Sequence, residues 1–260
     1  MKKIILLFTL LFTVITSAQY AIVSAVDLKD GMEDQYLALE EFFGPVHDQA
    51  IKNGIENSQA VFKVIESNDG RENPAEYFII TGFSSKEQLD AYNKSWEEGK
   101  WLAFSKEAYK GKMSSRRVTR YLNSVGSESN ERRNYHIEWK SSTIWAGGSF
   151  KPGDKMSLTS TIAKSDDFES WESEIIKPMV EKEIIMGLHR WWSLVEIYER
   201  AENAYEGITH FFFNVGVPGA ERTGWGDMDK TFKGKKLKEG VQSASEHQNS
   251  VTLELVSIHN

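Results

Sequence analysis

Six histidines, at positions 47, 136, 189, 210, 247 and 259, are the residues best able to move a proton near neutral pH. No two of them make a local metal-binding pair of the H-E-x-x-H kind. His210 falls inside the phenylalanine-rich run Thr209–Val215, which predicts a buried ring on a strand. His189 precedes Arg190-Trp191-Trp192 at a strand start, His47 follows Pro45 on a helix as a surface or capping residue, and His259 sits in a fraying end. An acid–base site needs only one tuned group close to its substrate. His210 with Glu196 can supply it, and these two are the expected catalytic residues. Lys63, Tyr77, Asn214 and Tyr198 are the expected ligand-binding residues, with Tyr77 and Asn214 placed to orient an oxyanion or a phenol. The bland alternative makes the same polar groups structural ties.

Much other chemistry is excluded. The 260 residues contain no cysteine, so there is no disulfide framework, thiolate metal site or cysteine nucleophile. No phosphate loop, dinucleotide fingerprint or Ser-His-Asp order can be assembled, and no metal site is expected. Gly224–Asp229 has glycines and acids without the spacing of a calcium loop. The lysines between 230 and 238 read as a solvated helix face. A formal charge of −7, from 38 acidic and 31 basic residues, argues against non-specific nucleic-acid binding.

The first residues have the three-part pattern of a signal peptide. Lys2 and Lys3 precede the apolar run Ile4–Ile15, and Thr16-Ser17-Ala18 supplies small residues before Gln19. The run falls short of the roughly twenty residues that span a bilayer. Residues 1–18 are therefore expected to be cleaved, which sends the chain to the periplasm or the exterior without a membrane segment.

The elements that must hold these side chains come in two similar sets. When the chain is slid along itself so that Glu41 meets Glu174, Glu41-Phe42-Phe43-Gly44-Pro45-Val46 falls on Glu174-Ile175-Ile176-Lys177-Pro178-Met179. At that one shift Val61, Phe62 and Val64 fall on Leu194, Val195 and Ile197, and Phe78 and Ile80 fall on Phe211 and Phe213. Val118 and Leu122 fall on Val251 and Leu255. Helix-like and strand-like stretches aligning together, without a gap, indicate duplication. Repeat 1 spans 20–125, a linker with an extra strand 126–149, and repeat 2 150–258. Within repeat 1 the pattern is strand 21–26, a helix 33–53 that Pro45 kinks or splits, strand 60–66, strand 77–83, a helical region from 85 to 108, and strand 116–122. The order β-α-β-β-α-β is the ferredoxin-like unit.

Such a unit leaves one sheet face open, and an apolar open face must be buried. The element order and duplication resemble the dimeric α+β barrel superfamily, here fused so that both sheets close on each other within one chain. The fold class is thus α+β, two ferredoxin-like repeats in an intramolecular barrel. Phe62, Val64, Phe78 and Ile80 are assigned to the helix-covered face. Lys63, Tyr77, Glu196, Tyr198, His210 and Asn214 are assigned to the barrel interior, where Lys63 and Glu196 would meet. Trp139 and Trp145 would cover the barrel mouth.

The resemblance implies a small-molecule ligand, with cofactor-free enzymes of aromatic or polyketide-like compounds as one branch. Haem proteins similar to chlorite dismutase are another, and there His189 or His210 would hold the iron. No haem motif is matched, so no cofactor is the leading expectation. A non-catalytic structural or interaction protein stays open, as does the oligomeric state.

Overall fold

The computed structural model describes residues 19–70 and 74–260. The segment read as a signal peptide lies outside them. Strand β1 (Tyr20–Leu28) leads into helix α1 (Glu33–Lys52), followed by β2 (Ser58–Ser67) and β3 (Tyr77–Phe83). Helices α2 (Lys86–Glu97), α3 (Lys100–Ala108) and α4 (Ser115–Asn123) precede β4 (Ser129–Ser142). The second repeat runs β5 (Lys155–Ala163), α5 (Phe168–Trp171), a π-helical turn (Glu172–Ile176), α6 (Lys177–Ile185), β6 (His189–Arg200) and β7 (His210–Gly216). It closes with a 3-10 turn (Gly226–Lys230), α7 (Phe232–Ala244) and β8 (Ser245–His259).

The eight strands form one closed antiparallel barrel in the order β1-β3-β2-β8-β5-β7-β6-β4. Each repeat contributes four strands, and β2·β8 and β4·β6 are the seams. Closure leaves none of the described strands with a free edge. The duplication is visible in register: Phe62 faces Phe78 in the first repeat, and their counterparts Val195 and Phe211 face each other in the second. At the seams Phe62 pairs with Leu255 and Val195 with Trp139, so the fourth strands are related by a shorter shift that lays Trp139 on Leu255. The connection from β7 to β8 is shorter than that from β3 to β4 by the difference.

Two expectations about elements are corrected here. Residues 116–122 are helical, within α4, and the fourth strand of repeat 1 is β4, inside the expected linker. Val118 and Leu122 therefore match Val251 and Leu255 only by coincidence. A short stretch with apolar groups at 118, 121 and 122 fits either periodicity. Ser114, whose hydroxyl accepts from the Arg117 amide, is the helix cap that decides it. Pro45 also leaves α1 as one continuous helix, because Tyr36, Leu39, Phe43, Val46 and Ala50 bury one stripe on both sides of it. In repeat 2 the matching Pro178 lies at the start of α6, directly after the π-helical turn, where the backbone ladder is already irregular.

The faces of the sheet are the reverse of those expected. Ala21, Val23, Phe62, Phe78, Tyr135 and Ile137 of the first repeat meet Leu158, Val195, Phe211, Phe213 and Leu253 of the second inside the barrel. Lys63, Tyr77, Glu196, His210 and Asn214, one residue out of phase, face the helical layer. The physical reason is that both faces are covered, but unequally. The barrel interior is ringed by all eight strands, so it takes the purest apolar set. The helical layers end in open margins, where polar groups reach water or each other.

Candidate functional site

A chemically mixed cavity of about 250 Å³ lies in the first repeat, between its sheet and helices α1 and α2. Helix α1 supplies Glu40, Phe43 and His47 at spacings of three and four, so all three project from one face onto the sheet. Strand β4 supplies Arg132, Asn134 and His136, whose alternation puts them on its outward side. Gln59 from β2 adds a buried amide, and Tyr92 and Trp96 from α2 close the roof. Trp96 stacks on the fully buried Trp101 at 4.3 Å, which fixes the wall.

His47 is buried, not the surface or capping residue expected, and it is the best-oriented group in the cavity wall. Its Nδ1 lies 2.7 Å from Glu56 Oε1, and Glu56 is 1% exposed. A carboxylate on one ring nitrogen holds the imidazole in a single tautomer and leaves the other nitrogen as the basic one. His259, expected to fray, ends β8 and meets Asp48 of the same helix at 2.9 Å. Glu40 is held above the usual carboxylate range by burial, against the opposing pull of Arg132 and His47. Arg132 donates to the buried Glu128 at 2.6 Å. His136 approaches Glu199 at 3.3 Å. The site thus combines an oriented base, a carboxyl tuned toward its protonated form, a fixed cation and aromatic walls.

The residues expected to form a site are split into two groups, neither in the barrel. On the first repeat, Lys63 Nζ and Tyr77 Oη both donate to Glu33 Oε1 at 2.6 Å. Those two donors, Lys63 first, lower the Glu33 pKa. They tie β2 and β3 to the start of α1. On the second, His210 and Glu196 are cross-strand neighbours, but each has another partner. Nδ1 of His210 meets Thr209 Oγ1 at 2.8 Å, and its Nε2 meets Glu169 at 3.3 Å. Burial lowers the His210 pKa, with Glu169 opposing. Glu196 binds Lys140 at 2.7 Å, so the expected Lys63–Glu196 contact is replaced by Lys63–Glu33 and Glu196–Lys140. Tyr198 packs edge-on to Tyr20 at 6.0 Å, and burial pushes its hydroxyl up to about 12. Asn214 is half-buried on β7.

Haem is the cofactor that the fold resemblance raises, and the histidines answer differently. His210 has both ring nitrogens engaged. His189 is 2% exposed beneath the Glu183–Arg222 pair, away from the residues that line the cavity. His47, with a carboxylate behind it and a cavity beside it, is the histidine that would hold a haem iron. The volume is the tighter constraint, since about 250 Å³ lies under the roughly 300–1,000 Å³ of drug-sized sites. It suits a compound of one or two rings as the helices stand.

Reading the sequence missed this site for two reasons. His47 lies on the buried stripe of α1 with Leu39, Phe43 and Ala50, a spacing visible in the sequence. The alternation from Arg132 to His136 was hidden by assigning those residues to a linker. Trp139 and Trp145, by contrast, stand at the barrel mouth as expected, both partly buried against the interior cluster.

Among solved structures, the chain is similar to a candidate monooxygenase from Lactobacillus acidophilus NCFM, at 12% identity and a TM-score of 0.50 over 94% of this chain and 96% of that one. It is similar to an anthrone oxidase-like protein at 13% identity and 0.52, covering 93% of each chain. A candidate monooxygenase from Fusobacterium nucleatum follows at 12% and 0.51, covering 94% and 95%. No family model matches the chain, and no curated protein matches its sequence. Identities this low speak for architecture alone: the chain has the dimeric α+β barrel fold, formed by two repeats of one polypeptide.

Proposed function

We propose that the cavity of the first repeat binds a small aromatic molecule and removes a proton from it, with His47 as the base. The carrying observation is the buried His47–Glu56 contact at 2.7 Å in the wall of a cavity that also holds Glu40 and Arg132. Glu56 stabilises the imidazolium that forms when His47 accepts an acidic O–H or C–H proton. Arg132 stabilises the anion left on the substrate, and Glu40, which burial pushes toward its neutral form, donates to it when protonated. Such an electron-rich anion is the form that reacts with O2, in keeping with the oxidase and monooxygenase descriptions of the similar structures. Export is part of this proposal only through the N-terminal segment.

Phenols and 1,3-dicarbonyl aromatics, offered under air, test it by O2 uptake. Turnover in the wild-type protein and its loss in His47→Gln, with folding intact, is the expected result. Equal uptake by the two proteins overturns it.

A second reading follows from the same contact. A histidine backed by a carboxylate is also how a haem iron is held; the cavity of about 250 Å³ would have to widen to admit the macrocycle, and His47 would then hold a group that supplies redox chemistry at the cavity wall. Haem added to the purified protein would give a Soret band that His47→Ala removes. No band in the wild type discards this reading and leaves the first.

A further inference from the structure

The barrel interior is filled through its middle, with a void of about 30 Å³ at one end and a larger one at the other. There, six aromatic rings, Phe62, Trp139, Trp145, Phe150, Trp191 and Phe213, surround a cavity of about 80 Å³. Repeat symmetry shows where the space comes from. Ser58 and Gly82 line it from the first repeat, and their counterparts in the second are Trp191 and Val215. The large member of each pair sits in repeat 2 and the small one in repeat 1, so one half of the mouth is walled and the other left open. Ala60 continues the open half one step deeper. Protein interiors are close-packed, and a void bounded by small residues on a strand is unusual unless something enters it.

The cover is also distinctive. Phe150 and Trp145 come from the segment between β4 and β5, and not from a strand. Phe150 places its ring 6.0 Å from Phe62 and 5.5 Å from Trp145. The segment is anchored by Arg190, whose Nη2 donates to Gly148 O at 3.0 Å and whose guanidinium lies 5.1 Å from the Trp145 ring. Phe150 itself stays partly exposed.

We infer that this mouth is a binding site for a neutral, ring-sized aromatic ligand, with Phe150 holding the ligand's place until one enters. Among the described residues, no Asp, Glu, Lys, Arg or His side chain lines the cavity, and Ser58 and Asn260 are the polar residues of a mainly apolar lining, so a charged ligand would lose most of its hydration without an opposite charge to offset it. Offset and edge-on packing against indole and phenyl faces favours a flat ring over an aliphatic chain of equal size. The void alone is smaller than the roughly 150 Å³ of an apolar cavity that takes up benzene, so a ring enters only as Phe150 moves aside. The site lies on the opposite sheet face from His47 and is independent of the function proposed above.

Saturation-transfer NMR with toluene, benzoate and naphthalene tests the site. Wild-type protein is expected to bind toluene saturably and benzoate at least tenfold more weakly. Ala60→Leu fills the open half and is expected to abolish toluene binding, whereas Phe150→Ala should bind toluene at least tenfold more tightly and admit naphthalene. His47→Gln should bind toluene as wild type does, which separates this mouth from the first cavity. Absence of toluene binding in both the wild type and Phe150→Ala overturns the inference. So does undiminished binding in a folded Ala60→Leu. Should Ala60→Leu not fold, an unchanged toluene affinity in Phe150→Ala is decisive against it.

Discussion

His47 and Glu56 are nine residues apart in sequence and 2.7 Å apart in space, and both are buried. Their counterparts in the second repeat are Val180 and His189. That repeat therefore keeps a buried ionisable group where Glu56 stands but gives it no histidine partner. The fourth strands diverge in the same way. With Trp139 laid on Leu255, Arg132 and His136 of β4 correspond to Gln248 and Thr252 of β8. Duplication supplied two similar layers, and only the first carries the charged set around an open cavity. The second is packed by Phe168, Trp192, Leu194 and Phe212.

The pair should behave as a unit in denaturation. His47→Ala leaves Glu56 buried without its partner and is expected to cost about 3–5 kcal/mol. Glu56→Ala should cost a similar amount. The double variant should cost clearly less than the sum of the two, because neither charge is then stranded. Urea titrations of the four proteins give the coupling. Additive losses would mean that the contact does not matter to stability.

Glu172 gives a pH dependence of defined sign. It is 3% exposed in the π-helical turn, and burial pushes its carboxyl up to about 7. The folded chain then holds this proton over a range where the unfolded chain has released it. Stability linked to Glu172 is present below the unfolded carboxylate value near 4.5 and is lost as pH rises toward 7. Glu172→Gln should remove that loss. At pH 8 the variant is expected to be more stable than the wild type by up to about 3 kcal/mol, with no gain at pH 4. A difference that is flat with pH would show that Glu172 does not titrate with folding.

The repeat and, apart from the fourth strand, the strand–helix order were legible in the residues, because each rests on periodicity over many positions; the closed barrel followed from the family resemblance that this order carries. The face assignment was not legible. Phe62 and Lys63 alternate clearly, but alternation says only that two faces differ, and here both are covered. Which one meets the helices depends on how two sheets close together, a relation between residues far apart in sequence. The fourth strand was obscured for a local reason. Its first residues, Ser129 to Arg133, are polar like a linker, and the apolar alternation begins only at Tyr135.

Trp101 tests whether the cavity roof is a packed wall. Its ring is 1% exposed, stacks on Trp96 and donates through Nε1 to Ser95 Oγ at 2.9 Å. Trp101→Ala should cost about 3–5 kcal/mol from lost burial and the space left behind. Because Trp96 loses its stacking partner, phenol binding in the first cavity should weaken as well. Trp101→Phe retains a ring and should recover most of both. A stable Trp101→Ala with unchanged binding would place the roof elsewhere.

His210 and His47 make a paired test of where the chemistry lies. His210 is wedged between Thr209, Glu169 and the Phe168 ring at 4.9 Å. Its removal should lower stability by about 1–3 kcal/mol, the scale of a lost buried hydrogen bond and its packing. His210→Ala should retain O2 uptake with aromatic substrates at temperatures where it is folded. His47→Gln should lose that uptake with a smaller effect on melting, since glutamine still donates to Glu56. The reverse outcome, activity lost with His210 and kept without His47, would move the active site to the second repeat. It would also restore the catalytic pair His210 and Glu196 that strand periodicity suggested.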